Sequence, residues 1–161
     1  MIWQTVSTSS AETERLGRIL GKNLKGGEVI ELHSDLGGGK TTFARGLAAG
    51  AGSKTNVTSP TFTLSRIYPA KNFDIHHFDF YRLDDAGILR DQLDESINNG
   101  KVVTVIEWAD IVKDVLTDDR LSIEFKPTTN DPDEREVTIT YSEKFQPIIT
   151  NTRTNWEEIE P

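Results

Sequence analysis

Apolar positions along the chain switch repeatedly between a period of two and a period near 3.6, and the switches mark out the elements. Residues 2–6 read as a short strand. Ser9 with Glu12 three positions later forms a capping-box pattern, and Leu16, Ile19, Leu20 and Leu24 recur at helical spacing until Gly26 and Gly27. Val29, Ile30 and Leu32 predict a strand, three consecutive glycines follow, and a helix is expected from about Thr41 to near Gly50, with Phe43 and Leu47 on one face. Residues 72–83 alternate again: Phe73, Ile75, His77 and Asp79 share one face, Asp74, His76, Phe78 and Phe80 the other. A polar helix is expected from near Asp84 to near Gly100, then Val102, Val103, Val105 and Ile106 read as a strand buried on both faces of a parallel sheet. A short helical piece near 109–116 precedes two alternating runs, Leu121/Ile123/Phe125 and Val137/Ile139/Tyr141, joined by a polar loop from Pro127 to Arg135. They predict an antiparallel hairpin at the edge of the sheet.

Strands alternating with helices give an α/β fold: a mostly parallel central sheet flanked by helices, closed by a C-terminal antiparallel hairpin. One domain over residues 1–143 is expected. Residues 144–161 show no lasting periodicity and read as a partly mobile tail, whose Trp156 and Ile159 could dock on the body or on another protein.

Composition narrows the chemistry. The 161 residues include no cysteine, so disulfides, thiolate nucleophiles and Cys-type zinc sites drop out together. No apolar run reaches membrane-spanning length and no signal segment is visible, so a soluble, cytoplasmic protein with no membrane partner is expected. The formal net charge of −8, from 26 acidic and 18 basic residues, repels polyanions on average, and no basic run marks an RNA-binding strip.

The strand, glycine run and helix between Val29 and Gly46 suit phosphate binding. Gly37, Gly38 and Gly39 would let backbone N–H groups approach an anion, Lys40 would reach the terminal phosphates, and the Thr41 hydroxyl would be a Mg²⁺ ligand; the plainer alternative is an ordinary Gly-rich turn. The pattern G-x-x-x-x-G-K-[ST] is met except at its first position, where Ser34 stands and is expected to need a backbone adjustment or a strained φ. Val57 to Phe62 carries Thr58, Ser59 and Thr61 around the stiffening Pro60, and a loop so placed can return over a γ-phosphate. The plainer alternative is an ordinary Ser/Thr turn. Asp79 stands at the end of a strand, where nucleotide-binding sheets put an acid near metal or water; the alternative is a turn cap. Glu107 closes a buried strand and needs a partner, either Mg²⁺ or an internal salt bridge. A His-based metal site at His76 and His77 is disfavoured for want of further ligands.

Four stretches, G-G-G-K-T-T-F-A-R-G, V-T-S-P-T-F, H-F-D-F-Y-R-L and V-I-E-W, in this order, closely resemble the bacterial TsaE (YjeE) family over about Ala11 to Tyr141. The resemblance implies a P-loop NTPase fold and a P-loop ATPase, weak alone, of the machinery that makes threonylcarbamoyladenosine in tRNA. It implies ATP and Mg²⁺ as ligands and the TsaB and TsaD proteins as partners, with tRNA met only through the complex. Carried over, it makes Asp35, Leu36, Gly37, Gly38, Gly39, Lys40, Thr41 and Thr42 the phosphate site, with Thr61 in a switch-like loop and Trp108 near the nucleotide. Thr41 and Glu107 become metal ligands, and Lys40, Asp79 and Glu107 the catalytic set. Ser34, Ala109, Gln92 and Ser96 depart from the family pattern. No arginine finger is evident, Arg66 and Arg82 being the candidates. A nucleotide-gated binding module with negligible turnover and a small-molecule kinase are the competing classes.

Overall fold

The computed structural model describes residues 1–35, 37–60, 63–129 and 131–158. Seven strands, β1 (Ile2–Ser7), β2 (Val29–His33), β3 (Ser65–Pro69), β4 (Asp74–Asp79), β5 (Val102–Glu107), β6 (Leu121–Pro127) and β7 (Arg135–Thr140), form one sheet in the order β1-β7-β6-β2-β5-β4-β3. The inner four, β6, β2, β5 and β4, run parallel; β3, β7 and β1 pair antiparallel at the two sides. The helices are α1 (Ser10–Asn23), α2 (Lys40–Gly50), α3 (Ile88–Ile97) and α4 (Gln146–Glu157). This is the α/β fold that the alternation predicts, with the P-loop NTPase architecture that the resemblance implies.

Two apolar layers cover the sheet. On one face, Leu16 and Leu20 of α1, Phe43 and Leu47 of α2, and Phe145 and Ile149 beside and within α4 pack on Ile30, Leu32, Val103, Val105, Ile123 and Ile139. On the other, Leu93 of α3 packs with Phe78, Phe80, Ile106 and Val112. The strand faces are those that the alternation assigns, and every residue of β5 is buried. Helices α1 and α2 touch backbone to backbone. A Cβ at Gly17 would sit 2.2 Å from the Phe43 carbonyl oxygen, at Gly21 2.1 Å from that of Leu47, and at Gly46 1.9 Å from that of Glu14. This approach brings the first turn of α1 beside the start of α2.

Four expectations change. The tail read as aperiodic contains α4, which the sequence hides because Pro147 starts it and a polar Thr152, 0% exposed, takes an inward position and donates to the Ile148 carbonyl at 2.8 Å. The β6–β7 hairpin exists but is not the sheet's edge, since β1 pairs along β7. Helix α3 starts at Ile88 rather than near Asp84: the Asp85 side chain accepts from Gly87 N at 3.0 Å, and Gly87 takes φ +51°. Strand β3 is additional, its only buried residue being Tyr68. At the helix start of α1, Ser9 accepts from Glu12 N at 3.2 Å as the pattern predicts, while Glu12 Oε2 reaches Thr8 N and Oγ1.

Candidate functional site: a phosphate-loop cavity

Strands β2, β4 and β5 end on the same side of the sheet, and their ends frame a cavity of about 290 Å³. Gly37, Gly38, Gly39, Lys40, Thr41 and Thr42 line it from the loop after β2 and the start of α2; Asp79 and Tyr81 line it from β4, Glu107 and Trp108 from β5. The register explains the convergence, because Asp79 is directly opposite Glu107, which is opposite Leu32.

The loop turns through Gly37 (φ +77°) and Gly39 (φ +106°), conformations that a Cβ disfavours. Ser34 is not among the described non-glycine residues with positive φ, which are Leu64, Arg82 and Trp108, so the expected left-handed strain at Ser34 is absent. The Gly38 N–H is used within the loop, donating to the Asp35 carbonyl at 3.0 Å. Among the described residues none accepts from the amides of Gly37, Gly39, Lys40, Thr41 or Thr42, the last three belonging to the first turn of α2, where helix geometry leaves N–H groups unpaired. These donors and the helix dipole suit an anion.

The Lys40 ammonium donates to the Ser34 carbonyl and Ser34 Oγ, both at 2.9 Å, and lies 4.7 Å from the centre of the Trp108 ring. Burial pushes its pKa below the ordinary lysine value, against the opposing pull of the Glu107, Asp79 and Asp35 carboxylates. Trp108 adopts a left-handed conformation (φ 56°, ψ 52°) that turns the chain sharply after Glu107, and its ring packs 4.8 Å from that of Tyr81.

Glu107 is 2% exposed, and among the described residues its Oε1 has no hydrogen-bond partner; His77 Nε2, equally unpartnered, stands 3.7 Å away. A buried carboxylate oxygen left in this way fits a cation. No cluster of three or more His, Asp and Glu side chains is present among the described residues, so a cation here would draw its other ligands from Thr41 and from what it binds with. Asp79 does cap the following turn, accepting from Tyr81 N at 2.8 Å, and also lines the cavity.

Other predicted residues are placed as follows. Ser59 lines the cavity, whereas the Thr58 carbonyl accepts from the Tyr68 hydroxyl at 2.9 Å. Asp35 borders a neighbouring hollow with His33 and Asp110. Leu36, Thr61, Phe62 and Ile159 lie outside the described residues. Arg66 borders a separate hollow beside α3, and Arg82 lies over the Tyr81 ring. Besides Tyr81, two positions beyond Asp79, four cavity residues escape the sequence reading: Ser10 and Thr13 of α1, Asp133, and Arg135, whose Nε donates to the Gly38 carbonyl at 3.2 Å. They come from elements distant in sequence, so only the close α1–α2 contact and the β6–β7 register bring them here.

A family model described as threonylcarbamoyl adenosine biosynthesis protein TsaE matches residues 7–137. The chain belongs to the TsaE family. Relatives named tRNA threonylcarbamoyladenosine biosynthesis protein TsaE include that of Bacillus subtilis, 36% identical over 138 residues covering 86% of this chain and 84% of the relative. That of Rickettsia conorii is 33% identical over 151 residues, 93% of this chain and 79% of the relative, and that of Streptomyces coelicolor 39% identical over 129 residues, 78% and 87%. The crystal structure of YdiB from Bacillus subtilis matches with a TM-score of 0.79 at 29% identity, covering 96% of both chains. The TsaE match takes in the phosphate loop, Asp79, Glu107 and Arg135, and stops short of α4.

Proposed function

We propose that this TsaE-family chain is a Mg²⁺-dependent ATPase that serves the threonylcarbamoyladenosine modification of tRNA in the cytoplasm, in a complex with TsaB and TsaD. The observation that carries the reading is the presence of two groups in one cavity: amides at the start of α2 that are unpaired among the described residues, and the buried carboxylate of Glu107, whose Oε1 has no hydrogen-bond partner among them. Amides and Lys40 would hold the β- and γ-phosphates, and Thr41 Oγ1 and Glu107 would hold Mg²⁺, which neutralises phosphate charge when bound. Asp79, 2% exposed, would orient the attacking water, its position fixed by its bond from Tyr81 N. Phosphoryl transfer needs positioning and charge stabilisation more than covalent chemistry, and this arrangement offers both.

Calorimetry with ATP, GTP and ADP, with and without Mg²⁺, paired with phosphate release, tests the reading. Lys40→Ala is expected to lose ATP binding. Glu107→Ala is expected to keep most binding and lose turnover by about a hundredfold or more. Phosphate release is expected to need no acceptor and to rise on adding TsaB and TsaD. The involvement of Lys40 with the loop's own oxygens favours, as a second reading, a nucleotide-gated binding module: ATP binding without turnover in the full complex would select it.

A further inference from the structure

Ser34 stands where the phosphate-loop pattern calls for glycine, and its side chain is engaged on two sides. Its hydroxyl donates to the Asp35 carbonyl at 2.8 Å and accepts from Lys40 Nζ at 2.9 Å. Its body fills the space that a side chain two residues before Lys40 would need: a Cβ on Gly38 would lie 2.4 Å from Ser34 Cβ and 2.3 Å from Ser34 Oγ. The latter distances are below any real Cβ contact, and neither partner is a long side chain able to swing away.

We propose that Ser34 is a positioning residue for Lys40, its hydroxyl holding the ammonium against the loop and competing there with a phosphate, with Gly38 its counterpart. The inference rests on the nucleotide-binding reading above. The three N–H donors of the ammonium face three loop oxygens, so a phosphate oxygen must displace one of them, and the hydroxyl is the one that glycine at this position could not supply. The carbonyls of Ser34 and Asp35 remain as acceptors in either case, at 2.9 and 3.4 Å, so the hydroxyl adds to a resting position and does not create it. A hydrogen bond to a charged group is stronger than one between neutral groups, and part of it returns through solvation once broken, so its removal is worth about three- to tenfold in affinity. The same side chain explains why the loop carries a third consecutive glycine. Gly38 has no positive φ to require it, unlike Gly37 and Gly39; what excludes a side chain there is chiefly Ser34, with the Asp35 carbonyl oxygen a lesser obstacle at 2.9 Å.

The test uses the full chain and four variants: Ser34→Ala, Ser34→Gly, Gly38→Ala and the double variant Ser34→Gly/Gly38→Ala. Affinity for Mg·ATP is measured by calorimetry, and the reactivity of Lys40 in the nucleotide-free protein by trace acetylation mapped with mass spectrometry. Ser34→Ala is expected to bind about three- to tenfold more tightly and to acetylate faster at Lys40, with thermal unfolding little changed. Gly38→Ala is expected to bind at least about tenfold more weakly, and the double variant to recover. Equal or weaker binding in Ser34→Ala, unchanged Lys40 reactivity, or a double variant no better than Gly38→Ala would each overturn the proposal. Failure of the unaltered chain to bind ATP would instead remove the proposed function, and the acetylation comparison would still decide whether the hydroxyl holds the lysine.

Discussion

Glu31 shows how a single buried charge is held beneath the phosphate loop. It sits in β2, 3% exposed, with Arg120 Nε at 2.7 Å from Oε2 and His33 Nε2 at 3.3 Å from Oε1. Burial alone would raise its pKa, but the hydrogen bonds and charges of His33 and Arg120 outweigh it, and the carboxyl titrates below the ordinary value of 4.5. A depressed folded-state pKa means that the ionised form stabilises the fold fully above the ordinary carboxylate range. That contribution is lost as the pH falls from about 4.5 through the folded-state value. Thermal unfolding followed against pH is expected to show this acid slope, reduced in Glu31→Gln. Arg120→Ala at neutral pH leaves the carboxylate with His33 alone, and denaturant titration is expected to show a loss of about 2–3 kcal/mol.

At the scale of elements, the α1–α2 contact sets two effects against each other. Alanine favours a helix interior over glycine by about 1 kcal/mol. At Gly17, however, the added Cβ meets a backbone oxygen of α2 at 2.2 Å, and overpacking of this kind costs about 3 kcal/mol or more when the obstacle is main chain. Gly17→Ala is therefore expected to lower the unfolding midpoint in calorimetric or dichroic melts. The same scale shows what could be read without coordinates. Strands β2 and β5 were legible as short apolar runs and β4 by its alternation, and because the glycine loop follows β2 while β4 and β5 end in acids, the loop glycines, Asp79 and Glu107 could be brought to one end of the sheet. Helix α4 was not, since Thr152 interrupts its apolar stripe and Arg15 and Thr5, which bind the Trp156 carbonyl and indole at 3.0 and 2.8 Å, lie far away in sequence. Arg135 was hidden for a similar reason: it reads as the end of a polar loop, and only the strand register carries it to Gly38.

For the whole molecule, charge separates binding a nucleotide from binding a nucleic acid. The cavity sets Lys40, Arg135 and amides unpaired among the described residues beside the carboxylates of Asp79, Glu107 and Asp133, a mixture that suits a compact anion arriving with a cation, while the chain as a whole carries −8. The free chain is expected to show no measurable retention of tRNA in a mobility or filter assay near physiological salt, with retention appearing only when TsaB and TsaD are present.

The close main-chain contact between α1 and α2 also bears on how a ligand of this cavity would leave it. At Gly17, Gly21 and Gly46 the two helices meet main chain to main chain, which couples the wall formed by Ser10, Thr13, Lys40 and Thr41. Entry and exit of a ligand are then expected past Ser59, Tyr81 and the turn bearing Asp133, which stand on connecting segments outside the helices and strands.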